Sequence, residues 1–94
     1  METEQLLPTA TVHLVDGCRT RHGQNVITRH GNHLCLMGET VEKEIVSFTR
    51  RQGQACIKCI AVLRGNKLFI FEGNTVGPGM ITEQMVRDAV CAAA

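Results

Sequence analysis

The run from Ala55 to Leu63 is almost wholly apolar, and after Arg64-Gly65-Asn66 the chain returns through Lys67-Leu68-Phe69-Ile70-Phe71. The glycine-containing tripeptide is a turn signal between two β-rich runs, so the segment reads as a hairpin. Side chains alternate between the two faces of a strand. Here Ile57, Cys59, Ala61 and Leu63 fall on one face and Cys56, Ile60 and Val62 on the other. Strands with no polar face belong to a sheet covered on both sides. Short helices are scant cover for two faces, so the sequence predicts a homo-oligomer.

A chain of 94 residues with 44% hydrophobic content suffices for one domain around one core. The predicted division is a lead-in over residues 1–9 and a single α+β domain over residues 10–94. A net charge of +1 gives no global electrostatic pull toward nucleic acid or membrane, so any such argument must be local. The apolar runs fall far short of the roughly 20 residues that cross a bilayer as a helix. Five cysteines are an odd number at irregular spacing, and residues 1–8 lack the pattern of a signal peptide. Reduced thiols and a cytoplasmic setting are expected.

Along the chain, Ala10, Val12 and Leu14 alternate with Thr11 and His13 as a strand ending near Asp16-Gly17. Residues 20–35 hold a tandem near-repeat, with Arg21-His22-Gly23 and Arg29-His30-Gly31 eight residues apart. Each His-Gly suits a tight corner, because glycine takes positive φ freely. Asn25 to Arg29 and His33 to Met37 then read as strands, and residues 10–37 as an antiparallel meander. Val41, Ile45 and Phe48 recur at helical spacing behind Thr40 as N-cap, with Glu42 and Glu44 near the start, Arg50 and Arg51 near the end, and Gly53 as the stop. A loop follows the second hairpin strand over residues 73–79. A last helix is capped by Thr82, carries Met85, Val86, Ala89 and Val90 on one side, and has Ile81 placed to staple against Val86. The predicted order is β-β-β-α-β-β-α: a small antiparallel sheet, meander plus hairpin, with two helices. From residue 33 onward this order resembles most of a ferredoxin-like unit.

No carboxylate lies between Gly17 and Gly38, a segment that holds Arg19, Arg21, His22, Arg29, His30 and His33. These six are the candidate binding residues, since arginine grips phosphate or carboxylate through paired N–H donors and histidine adds hydrogen bonds or charge. Corners at the two ends of a six-residue strand stand about 20 Å apart, so they are not expected to form one patch within a chain.

Other chemistries lack partners. Arg29-His30-Gly31 after a strand resembles the signature of the histidine phosphatase superfamily, which implies a phosphoryl-accepting histidine. That site also uses a later histidine, and none follows His33. Cys56-Ile57-Lys58-Cys59 has CxxC spacing, with His33 and Cys35 as further candidate ligands, but residues three apart on a strand point to opposite faces. Cys18 lies near Arg19, Arg21 and His22 without a defined base. The loop Gly73 to Gly79 leads into a helix N-terminus but lacks P-loop spacing. Phe69 and Phe71 share a strand face, which resembles the aromatic strand of an RNA-recognition motif and implies base stacking.

The sequence therefore predicts a small non-enzymatic binding or regulatory protein, of the accessory kind, without metal or cofactor. Its basic meander would engage an acidic protein surface or a phosphate-bearing ligand. RNA or single-stranded nucleic acid is the alternative partner.

Overall fold

The computed structural model describes residues 6–41 and 43–93. Most of the expected lead-in, Glu42 at the start of the expected first helix, and the terminal Ala94 lie outside the described residues. Among the described residues eight strands precede one helix: β1 (Ala10–His13), β2 (Arg19–His22), β3 (Asn25–His30), β4 (His33–Leu36), β5 (Glu39–Val41), β6 (Ile45–Gln52), β7 (Ala55–Arg64), β8 (Lys67–Gly73) and α1 (Glu83–Ala93). They form two four-stranded antiparallel sheets, β1-β8-β7-β6 and β2-β3-β4-β5. A mostly β structure with one helix replaces the expected single small sheet with two helices, and with it the ferredoxin-like order.

The missing helix is the segment from Thr40 to Gly53. Val41, Ile45 and Phe48 mimic helical spacing, but the buried residues in β6 are Ile45, Val46 and Phe48, with Ser47 and Thr49 exposed between or after them. Val46 and Phe48 enter one core and Ile45 the other, as neighbours on a strand covered on both sides do. The β-branched residues Val41, Ile45, Val46 and Thr49 favour this outcome. Gly53 has φ 62°, and the register Gln52↔Ala55 makes it the first of two turn residues rather than the end of a helix. Both motifs need a left-handed residue, so glycine alone does not distinguish them.

The same turn recurs at Gly23, Gly31 and Gly65, each with positive φ at the first loop position and no positive φ at the residue after it. This is the φ pattern of a type II′ hairpin, whose twist matches that of the strands it joins. The corners at His22-Gly23 and His30-Gly31 thus stand at opposite ends of β3, as expected. The meander differs in its outer strands: β1 leaves it and pairs with β8 in the other sheet, and β2 and β5, neither of them expected, flank β3 and β4.

The β7–β8 hairpin is covered on both faces by its own chain. On one side Val46, Phe48, Cys59, Ala61, Leu63, Leu68 and Ile70 pack against Leu14, Ile27 and Leu34, which the second sheet and the crossing to it supply. On the other, Ile45, Ile60, Val62 and Phe71 meet Ile81, Val86 and Val90. Each such aliphatic side chain contributes about 1.5–3 kcal/mol when fully buried. Sheet, sheet and helix are therefore stacked in three layers. The cover that the sequence reading sought in a second subunit comes from the segment taken for a meander and from α1.

Local signals hold the helix in place. Thr82 Oγ1 accepts the Met85 amide at 3.2 Å, as an N-cap does, and Ile81 and Val86 are both buried, as a hydrophobic staple requires. No described helix is long and apolar enough to cross a membrane.

Candidate functional site

The pleat sorts the six candidate residues into two sets. Arg19 and Arg21 are the exposed positions of β2, while Thr20 and His22 point inward. On β3, Asn25, Ile27 and Arg29 are buried, whereas Val26, Thr28 and His30 point outward. Cross-strand partners share a face. Arg19 stands opposite Thr28, Arg21 opposite Val26, and His30 opposite the exposed His33 of β4. Arg19, Arg21, His30 and His33 therefore occupy one outer sheet face, with no carboxylate at the outward positions of β2, β3 and β4. At its rim, Asp16 Oδ1 accepts the Gly31 amide at 2.7 Å.

His22 and Arg29 lie on the inner face, where each is engaged. Arg29 donates through Nε to the Gly31 carbonyl at 2.7 Å, and through Nη1 to the Leu14 carbonyl and Asn66 Oδ1, both at 2.8 Å. His22 Nε2 sits 2.6 Å from Glu72 Oε2, and its ring meets Phe48 edge-on with centroids 6.0 Å apart. Facing a carboxylate, Nε2 carries the proton and donates.

Glu72 is the centre of a polar cluster between the sheets. Arg50 of β6 grips both its oxygens, Nε to Oε2 at 2.5 Å and Nη2 to Oε1 at 2.9 Å, and the Cys59 Sγ lies 3.6 Å from Oε2. The registers Phe48↔Cys59 and Cys59↔Glu72 place Cys59 and Glu72 side by side on the face turned to the second sheet. Gly23 makes the approach possible, since a Cβ there would stand 3.2 Å from Arg50 Cβ, at a backbone φ of 63° that already disfavours side chains.

The cluster's electrostatics are those of a clasp. The Arg50 hydrogen bonds, followed by that from His22, outweigh burial and hold the Glu72 carboxyl down at about 2, and Glu72 raises the Arg50 guanidinium in return. Burial first, and then the neighbouring carboxylate, push the Cys59 thiol up to about 11. A protonated thiol is a poor nucleophile, and a carboxylate this acidic is a poor base at neutral pH. The His22, Cys59 and Glu72 ligand atoms all lie within 4.8 Å of one another, a set of donors that zinc accepts. The carboxylate oxygens, however, are already engaged by Arg50 and His22.

Nothing in the tandem repeat pointed to Arg50, Cys59 and Glu72 as a group. The available signal was parity: Val46-x-Phe48-x-Arg50 and Leu68-x-Ile70-x-Glu72 each carry an inward apolar row into a charge, and the two charges are opposite. Reading Arg50 as part of a helix hid the match.

The remaining motifs take structural places. Cys56 is exposed and Cys59 buried, on opposite faces of β7, so the CxxC pair does not converge. Cys18 is exposed. Phe69 and Phe71 both face α1, packed in or against the helix-side core, and so present no stacking platform. In the 73–79 loop, Asn74 closes the turn by donating through its amide N–H to the Gly79 carbonyl at 2.9 Å and through Nδ2 to the Pro78 carbonyl at 2.6 Å.

No protein-family model matches the chain, and neither curated proteins nor solved structures give a match to it.

Proposed function

We propose that the protein is a non-enzymatic binding or regulatory protein that engages an acidic protein surface through the outer face of β2, β3 and β4. The observation that carries this reading is the placement of Arg19, Arg21, His30 and His33 at outward positions of one sheet face with no carboxylate among them. A sheet face whose exposed charges are of one sign suits a complementary protein surface. Nucleic acid is the second reading, and the packing disfavours it: Phe48, Phe69 and Phe71 all belong to the cores, and the chain has no tyrosine or tryptophan to stack on a base. The reading requires no second copy of the chain.

Retention on immobilised poly-L-glutamate, compared with retention on a single-stranded oligo-dT of equal charge, tests the proposal. Binding to the polypeptide is expected to fall with rising salt, and to drop about tenfold in the double variant Arg19→Glu, Arg21→Glu. Equal binding by that variant would sink the assignment of this face. Preference for oligo-dT would favour the nucleic-acid reading instead.

A further inference from the structure

The turns Gly31-Asn32 and Gly65-Asn66, one from each sheet, border a cleft of about 380 Å³ whose lining includes Arg29, Asn32, Glu44, Leu63, Arg64 and Asn66. Small-molecule sites begin at about this size. Arg29 is the unusual member, because its side chain belongs to the inner face and the residue is only 9% exposed. Three of its five N–H groups are fixed, by Gly31, Leu14 and Asn66. Those bonds tie the guanidinium to both sheets and set its plane. Nη2 has no protein acceptor among the described residues, yet it is not among atoms sealed away without a partner. Arg29 lines the cleft, and its two Nη2 N–H groups are the donors that its protein contacts leave over.

A guanidinium held by three hydrogen bonds loses little freedom on meeting a ligand, and charge-assisted donors favour an oxygen anion. Arg64 adds a second cation on the rim and Asn32 a side-chain amide. Among the described residues Glu44 is the single acidic one in the lining, and Arg87 Nη1 neutralises it at 3.0 Å. We propose that this cleft binds the oxyanion group, phosphate or carboxylate, of a small molecule, with Arg29 Nη2 and Arg64 as its cationic donors. The site is separate from the outer face and does not depend on the function proposed for it.

The test is an amide and arginine Nε–H NMR titration of the full chain with sodium phosphate and, separately, with sodium acetate, at constant ionic strength. Saturable shifts are expected at Arg29 Nε and at the amides of Gly31, Asn32, Gly65 and Asn66. Whichever anion saturates first identifies the group preferred. Arg64→Gln, which removes an exposed side chain, is expected to weaken binding at least about fivefold, and Glu44→Gln to tighten it. Arg29→Lys keeps the charge but cannot reproduce the fork of donors, and is expected to abolish saturation; should it unfold, Arg64→Gln still decides. Absence of saturation with both anions, unchanged affinity in Arg64→Gln, or shifts centred on Arg19, Arg21, His30 and His33 would each overturn the proposal.

Discussion

Glu72 extends the inward row of Leu68 and Ile70 on β8, so the pleat delivers a carboxylate to the space between the sheets. There it is tolerable only because Arg50 and His22 meet it, and its side chain keeps 15% exposure. Its carboxyl lies at about 2 in the folded protein, against 4.5 for a free side chain. A group depressed in this way adds stability above its unfolded value, and that stability is lost as pH falls from about 4.5 toward 2. The gain is on the order of 3 kcal/mol. Urea unfolding of the native chain and of Glu72→Gln should therefore differ most at pH 5 and above, with the gap closing toward pH 2. A gap that did not change with pH would show that Glu72 matters by shape and not by charge.

At the scale of elements, hairpin turns were the most legible part of the chain. Gly23, Gly31 and Gly65 stand where a local reading put corners, because a two-residue turn is decided by the φ freedom of its own residues. Gly53 shows the limit of that logic, since the same freedom ends helices. What distinguishes β6 is its outward row Ser47, Thr49 and Arg51 beside the inward row Val46, Phe48 and Arg50, together with its partner β7. Spacing within the segment fits both structures, and only the presence of β7 selects one. Gly23 has a role beyond turning, as Arg50 packs beside it. Gly23→Ala should cost about 1–3 kcal/mol in chemical denaturation, through positive φ and the Arg50 contact together, whereas Gly31→Ala, whose Cβ would meet open space, should cost less.

For the molecule as a whole, the three layers divide the basic residues by consequence. Arg19 and Arg21 are on the outer surface, and replacing either with serine should change stability by less than about 0.5 kcal/mol. Arg29 is joined to the Leu14 carbonyl at the crossing between sheets and to Asn66 in the β7–β8 turn. Arg29→Met would leave those acceptors without their donor, at a cost of about 2–4 kcal/mol measurable by urea unfolding. If the two classes cost the same, the division into inner and outer faces is wrong. The three residues share one short basic segment, and their difference is a matter of pleat and cover alone.

Interactions between near neighbours were readable from the chain: glycine corners, the doubly apolar 55–71 hairpin and its demand for cover on two faces, and the Thr82-capped helix with its Ile81–Val86 staple. The identity of the cover was not readable. It depends on which distant segment carries a complementary apolar face, and β2–β5 with α1 meet that need inside one chain. The polar clasp has the same origin, because His22 and Glu72 are 50 residues apart and Arg50 and Glu72 are 22 apart. Strand parity records that each inward row ends in a charge, but not which charge it meets. It is settled when β6 and β8 pair on either side of β7, which sets Arg50 beside Glu72, and when the second sheet stacks on them and brings His22 to the same charge out of water.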